Sequence, residues 1–273
     1  MTDTVGQALA DATTRLATAG VDSAAHDARA LAAFALGCEP LEVGLRRGEP
    51  MPAGVSALVA RREAREPLQH ILGSAWFGPL ELKVGPGVFI PRPETEVLAD
   101  WAVRTAPGGK IKVLDLCSGS GALAAYVAHY LPEAEVTAVE LSSEALAFTR
   151  ANLPDRVRLL QADAADPTLL AGERFDLVVS NPPYVPESPD LAPEVYFDPH
   201  EAVFSGSSGM ELIDAMAPNL FRLLTPGGLV GVEHDDTTSE LVQAALRGAG
   251  LTEVRPMADL TGRDRFVIGR RVL

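Results

Sequence analysis

The tetrapeptide Asn181-Pro182-Pro183-Tyr184 concentrates the residues best suited to chemistry in this 273-residue chain. It follows directly on an apolar run, Phe175-Asp176-Leu177-Val178-Val179-Ser180. Two prolines fix φ and remove two backbone donors, so neighbouring carbonyls can face a ligand without competing N–H groups. The Asn181 side-chain oxygen and the Pro182 carbonyl can each accept one N–H of an amino group. The Tyr184 ring can lie against the planar π system attached to it. An amide nitrogen is a poor nucleophile because its lone pair is delocalised. Two acceptors, with a methyl donor fixed in line, favour a geometry that frees that pair. Such positioning is worth on the order of 7–11 kcal/mol of barrier in good cases. Standing alone, Asn-Pro is also an ordinary turn former.

A second loop lies upstream, in Ile111-Lys112-Val113-Leu114-Asp115-Leu116-Cys117-Ser118-Gly119-Ser120-Gly121-Ala122-Leu123-Ala124. Gly119 and Gly121 let the backbone turn sharply and a ligand approach closely. Asp115 sets a carboxylate beside the gap, and Glu140, at the end of the next apolar run, can accept hydrogen bonds from both hydroxyls of a ribose. Gly119, Gly121 and Ala124 also fit a dinucleotide fingerprint. Asp115 weighs against that reading: it would crowd a pyrophosphate, but it suits the cationic end of S-adenosylmethionine. Asp163, in Gln161-Ala162-Asp163-Ala164, is placed to border an adenine pocket. Cys117 reads as a packing residue, since no histidine lies near it in sequence.

These loops need a scaffold. From residue 110 onward apolar runs alternate with helical patterns: strands near 111–116, 134–141, 157–160, 175–180 and 228–233, then a terminal hairpin from 251–255 and 265–269. That alternation predicts an α/β fold with a mostly parallel, doubly wound sheet, whose ligands bind beyond the C-terminal strand ends at the switch point. A central fourth strand sets Asn181 beside the first loop. Residues 1–75 read as a small helical bundle, with Ser23 capping a helix that Gly37 stops. Residues 76–91 read as a hairpin linker turning at Gly85-Pro86-Gly87, and 92–273 as the α/β domain. Glu233 ends the fifth strand and His234 follows it; the two could line the cleft wall, but a satisfied strand-end pair is the favoured reading, with Asp235 and Asp236 solvated.

Composition narrows the classes further. Hydrophobic residues make up 47% and charged residues 22%, a folded-protein profile. No apolar run reaches the roughly 18 residues a membrane span needs, and no secretory leader is visible at the N-terminus. Two cysteines support neither a disulfide framework nor a cysteine-rich zinc site, so a reducing cytoplasm is expected. No other spacing suggests a metal. The net charge of −14 argues against binding nucleic acid chiefly through phosphates.

Three further segments, Glu66-Pro67-Leu68-Gln69-His70-Ile71-Leu72-Gly73, Phe89-Ile90-Pro91-Arg92-Pro93-Glu94-Thr95-Glu96 and Asp259-Leu260-Thr261-Gly262-Arg263-Asp264-Arg265, join the two loops. Together they resemble the release-factor glutamine methyltransferases (HemK/PrmC), a class I S-adenosylmethionine-dependent family, over essentially the whole chain. The resemblance implies a Rossmann-like seven-stranded sheet, a small N-terminal helical domain that docks the substrate, and a hairpin linker. It implies methyl transfer to the side-chain amide nitrogen of the glutamine in the Gly-Gly-Gln motif of peptide chain release factors. Carried over, residues 117–121 and Glu140 contact the cofactor, and Asp163 and Ala164 border its adenine. Asn181 touches cofactor and substrate, residues 181–184 hold the glutamine, and Phe89 and Arg92 close over the cofactor. Glu201 matches a loop that shapes the substrate channel. The family's more usual Gly is replaced by Cys117 and its more usual Asp by Glu140. A metal-free cytoplasmic monomer with no direct nucleic-acid or membrane partner is expected. The alternatives are a DNA adenine or RNA guanine amino-methyltransferase using the same tetrapeptide, a non-catalytic S-adenosylmethionine-binding protein and, more remotely, a nicotinamide dehydrogenase.

Overall fold

A computed structural model describes residues 3–187 and 190–272. It forms two compact units: Met1–Ser74 with Ala192–Phe197, and Ala75–Leu191 with Asp198–Leu273.

The first unit is helical: α1 (Val5–Thr18), α2 (Ala24–Leu36), α3 (Val55–Glu63) and α4 (Leu68–Leu72), with a 3₁₀ turn at Pro193–Phe197. Thr4 caps α1 in a reciprocal box with Gln7. Ser23 stands at the start of α2 but caps nothing; its hydroxyl donates to Asp27 at 2.7 Å instead. Leu16, Leu31 and Val59 fill the core of the bundle. Arg62 is buried beside them, its Nε 2.8 Å from Asp27 Oδ2 and its Nη2 2.9 Å from Glu194 Oε1. Arg65 grips the same Glu194 through two bonds of 2.7 Å. The two arginines hold the Glu194 carboxyl below the usual range against the opposing effect of its own burial.

The second unit opens with a two-stranded sheet, β1 (Ser74–Phe77) and β2 (Leu80–Lys83). The hairpin therefore turns at Gly78-Pro79, one strand earlier than Gly85-Pro86-Gly87. Burial decides the register: Phe77 and Leu82 both enter the α/β core, whereas Val88 and Ile90 pack as irregular chain against Ala145 and Phe148.

The main sheet follows helix α5 (Thr95–Thr105). It contains β3 (Lys112–Leu116), α6 (Ala122–Tyr130), β4 (Glu135–Glu140), α7 (Ser143–Asn152), β5 (Arg158–Gln161) and β6 (Phe175–Ser180). A short α8 (His200–Val203), α9 (Glu211–Leu223), β7 (Leu224–Glu233), α10 (Ser239–Gly248), β8 (Thr252–Ala258) and β9 (Asp264–Arg270) complete it. The strand order is β5-β4-β3-β6-β7-β9-β8, with only β9 antiparallel to its two neighbours. The seven strands match the sequence expectation, including the terminal hairpin. Period-two alternation splits each strand between two cores. Leu114, Leu116, Val178 and Val230 face α9 and α10, while Val113, Leu177 and Val179 face α5 and α6. Gly231 lets α5 press directly on β7, since a Cβ there would lie 2.6 Å from Trp101 Cζ3.

Candidate active site

The chain winds outward from β3 to β5 and then returns to the other side of β3 as β6, so the switch point lies between β3 and β6. Leu116 pairs with Ser180 at their C-terminal ends, and the Ser180 hydroxyl donates to the Leu116 carbonyl at 2.8 Å. Two loops whose starts are 64 residues apart in sequence thereby begin side by side. A cavity of about 240 Å³ opens over them, many times the roughly 30 Å³ one water occupies.

Cys117, Ser118, Gly119, Ser120, Glu140, Asp163, Ala164, Asn181 and Phe89 line it, together with Pro183, Thr95 and Glu201. Among the described residues the lining carries three carboxylates and no Lys, Arg or His. That lining suits a neutral or cationic nucleoside and opposes a pyrophosphate. The loop backbone takes positive φ at Cys117 (60°), Gly119 (54°) and Gly121 (83°). An L residue at position 117 is strained in this conformation. Cys117 accepts the strain and packs its side chain on the α9 core, where burial pushes its thiol pKa up. Among the described residues, its chain neighbours apart, no atom lies within 4 Å of where a Cβ of Gly119 would stand, so the backbone is bare at this point of the cavity lining. Both oxygens of Glu140 accept backbone N–H groups, from Gly119 and from Ser142, each at 2.7 Å. The carboxylate is thereby fixed, with lone pairs left for hydroxyl donors.

Five predicted residues do not line the cavity: Asp115, Gly121, Arg92, Pro182 and Tyr184. Asp115 has the side parity of Val113, so it points under α6 and accepts the Ala124 N–H at 3.1 Å. It is fully buried, and burial pushes it up to about 7. Arg92 pairs with the buried Asp198 at 2.5 Å and stacks on Phe89, 4.9 Å from the ring centroid, so it backs the wall without forming it. Tyr184 packs on the α9 core and donates its hydroxyl to Glu233 Oε1 at 3.0 Å. Gly209 secures the same loop, since a Cβ there would fall 2.2 Å from the Tyr184 carbonyl oxygen. The Asn181 side-chain nitrogen donates to the Thr95 hydroxyl at 3.2 Å. Its Oδ1 is thereby left as the acceptor.

Glu233 and His234 are satisfied only in part. Both are buried; Glu233 Oε1 accepts the Tyr184 hydroxyl and His234 Nδ1 lies 2.7 Å from the Asp235 carbonyl oxygen, while among the described residues Glu233 Oε2 and His234 Nε2 have no hydrogen-bond partner. Burial raises the Glu233 carboxyl to about 7 and lowers the His234 imidazole. Thr95 was missed from the sequence: a threonine at a helix start reads as a cap, and only the packing of α5 on β7 turns it to the site.

Comparison with known proteins gives the family. A family model described as the PrmC N-terminal domain matches residues 7–73, and one described as a methyltransferase domain matches 113–196. A release factor glutamine methyltransferase of Corynebacterium glutamicum is 56% identical, covering 98% of this chain and 99% of its own. The chain belongs to the release factor glutamine methyltransferase family. A second family member, from Mycolicibacterium smegmatis, is 46% identical over 97% of each chain. The family's sheet recurs in a methyltransferase structure from Pyrococcus furiosus, 18% identical with a TM-score of 0.53 over 72% of this chain and 91% of that one, a likeness of fold alone. Among the described residues, no helix is long and apolar enough to cross a membrane.

Proposed function

We propose that this protein transfers a methyl group from S-adenosylmethionine to the side-chain amide nitrogen of the Gly-Gly-Gln glutamine in peptide chain release factors. The observation that carries the chemistry is the locked Asn181 amide. With one of its two N–H groups held by Thr95, the amide turns its oxygen to meet an incoming –NH₂ group at the cavity.

The lining fits the cofactor: bare backbone at Gly119, a fixed carboxylate at Glu140 for the ribose hydroxyls, and Asp163 with Ala164 for the adenine. S-adenosylmethionine supplies the electrophilic methyl when bound. Asn181 Oδ1 accepts an amide proton of the glutamine; the Pro182 carbonyl, expected as a second acceptor, does not line the cavity. As the new N–C bond forms, that nitrogen gains positive charge, which the acceptor stabilises more than it stabilises the neutral amide. The nitrogen then turns acidic and loses a proton to solvent, so no base has to titrate before attack. Pro182 and Pro183 keep the acceptor in place without reorganisation. Phe89 and Glu201 wall the cavity and restrict what enters. The bundle of residues 1–74 is the docking surface for the protein substrate. The protein acts as a cytoplasmic monomer.

The decisive assay mixes the purified protein and S-adenosylmethionine with a release factor, duplex DNA and ribosomal RNA in separate reactions. Mass spectrometry should place a single methyl on the Gly-Gly-Gln glutamine. Transfer to a nucleic acid instead, or to another residue of the release factor, would overturn the proposal.

A further inference from the structure

Glu233 ends β7 with 1% of its surface exposed, yet it does not line the cavity. Its Oε1 accepts the Tyr184 hydroxyl at 3.0 Å, while Oε2 has no hydrogen-bond partner among the described residues. Thr95, at the start of α5, is also buried, at 3% exposed. Its hydroxyl accepts the Asn181 side-chain N–H at 3.2 Å. Two buried side chains therefore hold the two ends of the tetrapeptide, Glu233 at Tyr184 and Thr95 at Asn181.

The direction of these bonds matters. A hydroxyl carries one proton. In the structure the Thr95 hydroxyl accepts from Asn181, so the amide presents its NH₂ to Thr95 and its oxygen to the other side. Reversed, the amide would set donors against a substrate –NH₂ and lose the acceptor. A solvent-exposed asparagine has no reason to prefer one orientation, and a contact with the buried Thr95 hydroxyl gives it one.

We infer that Glu233 and Thr95 are positioning residues, which fix the amide orientation of Asn181 and the seat of Tyr184 for methyl transfer. The inference rests on Asn181 being the acceptor for the substrate nitrogen. Neither residue is asked to exchange a proton with substrate. Their work is to hold one of two nearly isosteric amide orientations, a role distinct from that of a satisfied strand end.

The test uses the full chain with three substitutions: Thr95→Val, which keeps shape and removes the hydroxyl, Thr95→Ser, which keeps it, and Glu233→Gln. Thr95→Val should lower kcat by about 10- to 100-fold, the usual scale for losing an orienting partner. KM for the release factor and affinity for S-adenosylhomocysteine should stay within about threefold of the parent, the mark of an interaction felt only in transfer. Thr95→Ser should restore kcat to within about threefold, and Glu233→Gln should fall between the two. Independently of turnover, the side-chain amide resonances of Asn181, assigned by loss in Asn181→Ala, should shift in Thr95→Val and return in Thr95→Ser. Parent-like kcat in Thr95→Val overturns the inference, as does a loss that Thr95→Ser fails to restore. Unmoved Asn181 resonances in Thr95→Val overturn it too. If the unsubstituted chain methylates no release factor, the functional proposal fails, while the resonance comparison still decides whether Thr95 orients Asn181.

Discussion

Asn181 has one acceptor to offer, and nothing beside it can replace that oxygen. Asn181→Ala should cut kcat by about 100-fold or more, by analogy with removal of one group that stabilises charge in a transition state. Cofactor affinity, read by calorimetry, should move by less than about threefold, because the rest of the lining is untouched. Equal losses in both would mean that Asn181 mainly holds the cofactor. Cys117 makes a sharper test of backbone strain. It sits at φ 60°, where Ala gains nothing from its Cβ and Gly is at ease. Cys117→Gly should therefore be more stable than Cys117→Ala by about 1 kcal/mol in urea denaturation, the reverse of their usual order. Ala ahead of Gly would show that the loop relaxes away from this conformation.

The loops owe their positions to the elements behind them. Gly209 precedes α9 and brings its backbone against the Tyr184 carbonyl. A methyl group there meets backbone and has no side chain to push aside. Gly209→Ala should lose about 2 kcal/mol or more of stability and depress turnover together, measured by thermal unfolding and methyl transfer on the same preparation. Retained turnover would show that the tetrapeptide does not depend on this contact. In the helical bundle, α2 and α3 meet through the buried Arg62–Asp27 pair, at 8% and 4% side-chain exposure. Arg62→Met strands Asp27 and leaves Glu194 to Arg65 alone. A cost of about 3–5 kcal/mol is expected. Adding Asp27→Leu should recover much of it, since the unpaired buried charge is what costs most; no recovery would place the loss in packing instead.

Across the whole molecule, acid affects two sets of carboxyls in opposite directions. Asp115 and Glu233 are pushed up to about 7 by burial, from ordinary values of 3.8 and 4.5. Between those limits the folded protein keeps protons that the unfolded chain has lost. Their contribution to stability is thus fully present below about pH 4 and is lost as pH rises through 7. Surface-paired carboxyls such as Glu49 and Glu63 are shifted down by Arg46 and Arg15 and lose their smaller contribution in acid. Asp115→Asn removes one titration without disturbing the acceptor for the Ala124 N–H. The fall in stability of the parent between pH 5 and 8 should flatten in this variant by up to roughly 3 kcal/mol, because about two units of the shift lie within that window. Parallel urea midpoints across that range would show that Asp115 is not protonated in the fold.

Sequence by itself determined the reaction class and the layout of the sheet. The order of apolar runs fixed seven strands, because alternating β and α segments allow few unknotted arrangements. Asn181-Pro182-Pro183-Tyr184 and Cys117–Gly121 were legible because each is a local device whose backbone needs are written in its own residue types. Tertiary structure decided which way side chains face. Asp115 turned under α6 through strand parity, and Tyr184 turned inward to Glu233. The hairpin moved to Gly78 because Phe77 and Leu82 could be buried together. Thr95 and Asn181 meet only because α5 packs beside β6, 86 residues apart in the chain. No local pattern encodes such a contact, since it forms from the packing of two elements whose own sequences say only helix start and strand end.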